Sequence, residues 1–324
     1  MIKVLPRGAV PENRELLLLG ACLLAIALFA VASPFFATAD NAVTILRNSV
    51  ELLLISLGMS LLLAMGGVDV SIGTVMGLAA FVIGRLLMAA VDPALAAMAG
   101  ILAGAALGMV TGAVVVFGRI PAIVATLGLL GVYKAAIYLA LGGAWLSGLP
   151  PTLTAMLQVR LVGVPIAVIV IALSYGAIWL AMRRTPFGLH LLAVGNSEEK
   201  ARLQGVNTKL IQFSTFVISG TLAGVAAVFY IGTYRNVEMT IGSTLALDAI
   251  AAVVLGGTSI LGGKCSLLGT VLGVLLLRIL QNGLLLVGVP SLWQTVVTGA
   301  LLIGVLSIEG LSGRLQLKFA GATQ

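Results

Sequence analysis

Runs of about twenty apolar residues, separated by short polar turns, recur along this 324-residue chain. A helix of that length crosses the roughly 30 Å hydrocarbon layer of a bilayer. Within lipid, only helices and closed barrels satisfy their own backbone polar groups. Ten spans are expected, at 16–36, 48–66, 70–89, 94–117, 122–141, 161–182, 213–232, 245–261, 266–286 and 292–309. The expected fold is an all-α polytopic membrane protein, a single transmembrane domain over 1–324. Composition agrees, with 60% of residues hydrophobic and 9% charged, against roughly a quarter charged in globular proteins.

The net charge of +7 is strung along loops, not gathered on one soluble face, so it reads as membrane topology and not as a nucleic-acid site. With the N-terminus inside, the inner flanks carry twelve basic residues: Lys3, Arg7, Arg14, Arg119, Arg183, Arg184, Lys200, Arg202, Lys209, Lys264, Arg314 and Lys318. The outer flanks carry three, Arg47, Arg160 and Arg235. That imbalance places both termini in the cytoplasm. Arg85, Lys134 and Arg278 fall in the outer halves of spans, where long basic side chains snorkel to the interface. The N-terminus imitates a secretory signal, but its apolar run to Phe36 is long enough to span, so a retained first helix is expected.

The loop 183–212 is the main interruption of the apolar pattern, and its basic excess assigns it to the cytoplasm. Asn196 precedes a helical run with Glu199 three residues on, a capping-box spacing. Glu198 and Glu199 oppose the positive end of the helix dipole, and Gly205 offers a left-handed stop. The predicted helix, Ser197–Gln204, is too short to be stable alone in water. It either tucks against its own spans or docks on another protein.

The segment Gly66-Gly67-Val68-Asp69-Val70-Ser71-Ile72-Gly73-Thr74-Val75-Met76-Gly77 aligns with 262–273, and six of twelve positions are identical. The same offset lays spans 1–4 on spans 7–10, a parallel internal repeat. Gly100, Gly104, Gly108 and Gly112 form a face at four-residue spacing, suited to close helix packing within the subunit.

Glu51 and Asp248 lie one residue apart in the repeat frame, each expected within the first turn at the outer end of its helix. Intramembrane carboxylates mark pathways, and carboxylates at helix N-termini also answer the dipole; both readings stay open. Asp69 reads as a cap in a glycine turn. The glycine turn 256–265 resembles a phosphate loop but places Cys265 where Ser or Thr is required. Nucleotide hydrolysis is therefore not expected of this chain. Trp145, in the outer loop 142–151, suits an interface anchor or an external docking point. Cys22 and Cys265 make no disulfide or metal framework, and His190 stands without metal-ligand company. No catalytic arrangement, cofactor or metal site is expected.

Four segments, GGVDVSIG (66–73), TPFGLHLLAVGNSEEKARLQGVN (185–207), LDAIAAVVLGGTSILGG (247–263) and LGTVLGVLLLRILQNGL (268–284), resemble permease subunits of bacterial ABC importers for ribose and related sugars. Within that family, residues 120–150 are similar to permeases of autoinducer-2 importers, with rhamnose-type permeases next. The resemblance implies two cytoplasmic ATPase subunits, a second permease subunit, identical or a sibling, and a periplasmic solute-binding protein. It implies a coupling loop at 183–212, with Asn196, Glu198, Glu199, Ala201, Arg202 and Gly205 contacting the ATPase. The solute would be a small neutral sugar-like molecule, and Glu51, Thr126, Tyr133, Asp248, Asn282 and Gln294 are candidate pathway-lining residues. A self-sufficient secondary transporter is the rival class; it would want a coupling carboxylate nearer the midplane.

Overall fold

A computed structural model describes residues 13–161 and 163–290, together with 292, 293, 296, 297, 299, 300 and 303. It is all-α apart from one hairpin of two-residue strands. The helices before the hairpin are α1 (Asn13–Ala32), α2 (Ala39–Ala64), α3 (Ile72–Met88), α4 (Pro93–Val116), α5 (Ala122–Leu141) and α6 (Thr152–Leu157). The hairpin pairs β1 (Arg160–Leu161) with β2 (Val164–Pro165), antiparallel. Then follow α7 (Ile166–Arg184), α8 (Pro186–Asn196), α9 (Glu198–Leu203), α10 (Thr208–Tyr234), α11 (Leu245–Leu255) and α12 (Leu267–Leu286).

Among the described residues seven helices, α1, α2, α4, α5, α7, α10 and α12, are long and apolar enough to cross a membrane; α3 and α11 are shorter and apolar. The span expected at 122–141 coincides with α5. Those at 94–117 and 266–286 agree with α4 and α12 within a residue at each end. The span expected at 245–261 is helical only over Leu245–Leu255, about 16 Å at 1.5 Å per residue. Beyond it the chain breaks, with positive φ at Gly257, Gly262 and Gly263. The span expected at 48–66 begins earlier, at Ala39, because Thr38 caps the helix by accepting from the Asn41 amide at 3.3 Å. The span expected at 213–232 likewise begins at Thr208, where Asn207 accepts from the Leu210 amide at 3.1 Å. Much of 292–309 lies outside the described residues; those described in it are helical.

Local chemistry explains the other helix ends. Asp92 accepts from the amides of Ala94 and Leu95 at 2.9 and 3.3 Å, and Pro93 supplies the first helical φ of α4. Gly142, left-handed at φ 64°, ends α5.

The bundle is centred on α2 and α10. Every residue from Ser49 to Ala64 is buried. The glycine face of α4 packs on α10 within the subunit, as its spacing predicts. A Cβ on Gly104 would lie 2.7 Å from the Gly224 nitrogen, and one on Gly108 2.6 Å from the Phe216 carbonyl oxygen. Backbones that close gain dispersion contact, the main attraction available between helices in lipid. By contrast, α7 has no buried residue. The Tyr175 hydroxyl ties it to α2 by donating to the Leu53 carbonyl at 3.0 Å.

The first turn of α1 grips the glycine break between α11 and α12. Arg14 donates to the Val254 carbonyl at 2.8 Å, and Glu15 accepts from the Ser266 hydroxyl at 2.7 Å. Cys22 and Cys265 are both free, and burial pushes the Cys265 thiol up to about 12.

Candidate functional site

Two constellations stand out, one at each end of the buried part of α2. The first is a helical elbow outside the spanning helices. Thr185 caps α8 by accepting from the Phe187 amide at 3.3 Å, and Pro186 occupies its first turn. Ser197 then turns extended, at φ −168° and ψ 109°, and the chain re-enters a helix as α9. Ser197, not Asn196, is the N-cap: its hydroxyl accepts from the Lys200 amide at 3.3 Å. Asn196 is the last residue of α8, and its side chain donates back to the Leu192 carbonyl at 2.9 Å. The sequence reading erred there because it treated the residues before Ser197 as loop. Glu198 accepts from the Thr208 hydroxyl at 3.2 Å, which ties α9 to the start of α10. Gly205, at φ 83°, supplies the left-handed stop, and the Val206 amide closes it on the Ala201 carbonyl at 3.1 Å.

One face of this elbow is bound into the bundle and the other is open. Ala201 is buried, whereas Leu203 is 76% exposed, Leu189 73% and Leu261, in the neighbouring glycine break, 89%. Glu199, Lys200 and Arg202 are exposed beside them. Exposed leucines are ordinary on a spanning helix, which faces lipid. Leu189 and Leu203 instead stand on the elbow among charged residues.

The elbow is fastened at Gly195. A Cβ there would collide with the Ala64 carbonyl oxygen at the end of α2 and lie 2.6 Å from the Gly263 nitrogen. The Gly263 amide donates to that same Ala64 carbonyl at 2.8 Å. Gly262 presses on the Gly195 carbonyl from the other side. The end of α2, just before the break 65–71, and the break 256–266 thus meet at the elbow. A 2.8 Å hydrogen bond between the hydroxyls of Ser60 and Thr270 joins the helices just inside them.

In the first break, the Asp69 carboxylate accepts from the Ser71 amide at 2.8 Å and the Ser71 hydroxyl at 2.6 Å. It organises the start of α3 as a cap would, although Ser71 holds the cap position itself. Burial pushes the Asp69 carboxyl up to about 6, against the opposing pull of the Ser71 and Ile72 hydrogen bonds.

The second constellation is polar and lies within the spans. Glu51, 5% exposed, and Asp248, 9% exposed, both lie within electrostatic reach of the Arg278 guanidinium. Gln281 hydrogen-bonds Asp248 and accepts from Arg278 Nη1 at 2.9 Å. Arg278 Nε is buried without a hydrogen-bond partner among the described residues. Tyr230 and Tyr234, with ring centroids 4.8 Å apart, lie near the Glu51 carboxylate. Asn282 accepts from Asn41 at 3.0 Å on the same stretch of α12.

Arg278 thus bonds Gln281 inside the bundle, with two carboxylates in electrostatic reach. One expectation is corrected. Glu51 is not in a first turn, since α2 begins at Ala39, whereas Asp248 is in the first turn of α11. The cluster was partly legible, because Arg278, Gln281 and Asn282 form a polar i, i+3, i+4 stripe on an otherwise apolar helix.

The other pathway candidates are placed differently. The Thr126 hydroxyl accepts from the Val70 amide at 3.2 Å and lies 3.3 Å from the Val68 carbonyl, linking α5 to the first break. Tyr133 bonds the Thr111 hydroxyl at 3.2 Å and the Leu107 carbonyl at 3.3 Å, joining α5 to α4. Gln294 lies outside the described residues.

A bundle of apolar, membrane-length helices thus holds a buried polar cluster at one end of the buried part of α2 and a partly exposed elbow at the other. Residues 41–306 match the family described as "Branched-chain amino acid transport system / permease component", and the chain belongs to that family. It is similar to the autoinducer 2 import system permease protein LsrC of Photorhabdus laumondii, 31% identical over 306 residues, covering 93% of this chain and 90% of the relative. The LsrC proteins of Yersinia pseudotuberculosis and Yersinia enterocolitica are each 33% identical, covering 93% of this chain and 86% and 84% of theirs. No solved structure matches the chain. The protein is a multi-pass inner-membrane permease component.

Proposed function

We propose that this chain is the membrane subunit of an ABC importer that carries a small sugar-like solute, autoinducer-2 foremost, into the cytoplasm. The observation that carries this reading is the elbow α8–α9. It offers Leu189 and Leu203 outward while Gly195 bears directly on the end of α2 and on the glycine break 256–266. The names of the relatives favour autoinducer-2 over rhamnose, ribose or another monosaccharide.

In this reading the chain is one transmembrane domain, 1–324, with ten spans, the tenth at 292–309. Spans 1–4 and 7–10 form a parallel repeat, and both termini are cytoplasmic. The six identities between 66–77 and 262–273 support the repeat, and the twelve-to-three division of basic residues supports the orientation. Two ATPase subunits dock from the cytoplasm on the loop 183–212, through Glu198, Glu199, Ala201, Arg202 and Gly205, with Asn196 backing the contact. A second permease, a copy or a sibling, completes the pathway, and a periplasmic binding protein delivers the solute.

ATP binding draws the ATPases together and displaces α9. The shift enters the bundle at Gly195, where backbone meets backbone, and moves both breaks as a rigid-body step between outward and inward openings. Glu51, Asp248 and Asn282, with Arg278, Gln281 and the tyrosine pair, offer hydroxyl-binding groups to a neutral solute. Thr126 and Tyr133, taken up by interhelical hydrogen bonds, border the path. Gln294 belongs to the same set of lining candidates.

The buried Glu51–Arg278–Asp248 cluster is the feature a self-sufficient secondary transporter would use. Reconstitution in proteoliposomes with cognate ATPase and binding proteins separates the two. Vanadate-sensitive uptake of autoinducer-2, exceeding that of rhamnose and ribose, is expected. Uptake by this chain alone, abolished by an ionophore, would establish the rival.

A further inference from the structure

A groove of about 1010 Å3 opens between α7 and the face formed by α2, α10 and α12. None of the described solute-path residues lines it. Its walls are mostly aliphatic, including Leu53, Ile171 and Val271, and Arg47, Gln158 and Arg160 line it as well. Among the described residues no carboxylate lines it. Neither arginine side chain has a hydrogen-bond or ion-pair partner among the described residues. Glu51, one turn beyond Arg47, is engaged instead with Arg278.

The geometry fits a chain with a charged end. Arg47 lies seventeen residues before Ala64 on α2, so it sits about 25 Å from the Gly195 junction at 1.5 Å per residue. From Ala167 to Trp179, both lining the groove, α7 runs about 18 Å. One leaflet of a 30 Å hydrocarbon layer is about 15 Å deep. Gly176 lines this groove, and a Cβ added there meets nothing within 4 Å.

We propose that this groove is a binding site for an anionic glycerophospholipid, with its phosphate at Arg47 and Arg160 and an acyl chain along the aliphatic walls. Two unpaired guanidiniums facing no carboxylate select a phosphate oxyanion. The aliphatic walls take a chain and leave the headgroup at the membrane surface. With α8–α9 on the cytoplasmic side, as proposed above, the lipid belongs to the outer leaflet. Its effect would be to hold α7 at a fixed distance from α2, where Tyr175 alone bonds to the Leu53 carbonyl.

The test is native mass spectrometry of the full-length chain in detergent, titrated with an equimolar mixture of phosphatidylglycerol and phosphatidylcholine of identical acyl chains. The wild type should retain phosphatidylglycerol at least fivefold over phosphatidylcholine. Arg47→Gln/Arg160→Gln should bring the two to parity, and Gly176→Phe should lower retention of both. Glycerol phosphate, lacking chains, should not bind. Equal retention of both lipids by the wild type overturns the proposal without recourse to any variant. So does a phosphatidylglycerol preference that survives removal of both arginines, or disulfide-linked pairing of Gly176→Cys chains in native membranes, which would give the groove to a second copy. Lipid retention needs no ATPase or solute, so failure here is separable from failure of the importer reading.

Discussion

The two ends of the buried half of α2 solve opposite problems. At Ala64 the contacts are backbone on backbone, made possible by Gly195, Gly262 and Gly263, and no charge is involved. At Glu51, thirteen residues and about 20 Å earlier, charged side chains face one another across α2, α11 and α12. A glycine junction resists compression and transmits displacement, because close-packed atoms have nowhere to yield. An ionic cluster in lipid is costly and is retained where its groups meet something other than each other. Under the proposed function, one end receives a push and the other holds a polar cargo.

The hardest blow to this division is Gly195→Val. Its Cβ would overlap the Ala64 carbonyl, and overpacking of this kind costs about 1–3 kcal/mol or more. Uptake in proteoliposomes should be abolished and the thermal midpoint lowered. Normal transport by this variant would remove the junction from the mechanism. Next in size is Arg278→Gln, which removes the cation within electrostatic reach of Glu51 and Asp248. Breaking a buried pair from one side costs about 3–5 kcal/mol in soluble proteins, and less here to the extent that the carboxylates protonate. Uptake should fall at least tenfold while co-purification with the ATPase persists, a split that would fail if the cluster served folding alone.

A smaller effect on the fold is expected from the exchange Glu199→Lys/Arg202→Glu. Both residues are exposed, so stability should change by less than about 1 kcal/mol, while ATPase binding measured by co-purification weakens several-fold. The smallest effect concerns Asp69. Its carboxyl, raised to about 6 in the fold, holds its proton there more firmly than an unfolded Asp near 3.9. The cost of ionising it develops as pH rises between those values and is complete above about 6. Asp69→Asn should therefore gain more thermal stability over the wild type at pH 8 than at pH 5.

Much of the fold was legible because lipid imposes a simple rule on long apolar runs, and α5 follows it residue for residue. The rule fails where polar residues sit inside a helix. Asp40, Asn41, Arg47 and Asn48 disguised the first turns of α2, whose start depends on the Thr38 cap. The helix α8 was missed although Thr185-Pro186 is an ordinary start signal, because Leu191, Leu192 and Val194 lie in a charged loop. The elbow's Glu198, Glu199 and Gly205 were readable from capping chemistry. Arg278 was misjudged because sequence does not show that α2, α11 and α12 converge on it. The Gly195 junction was invisible for the same reason, since its partners lie 131 and 68 residues away along the chain.

The most direct test joins the elbow to transport. Leu203→Glu places a charge on the most exposed apolar residue of α9 and leaves every internal contact of the bundle in place. In proteoliposomes containing the ATPase and binding protein, the account predicts an intact thermal midpoint with loss of both ATPase co-purification and vanadate-sensitive uptake. Wild-type assembly and uptake by Leu203→Glu, and likewise by Gly205→Pro, would contradict it.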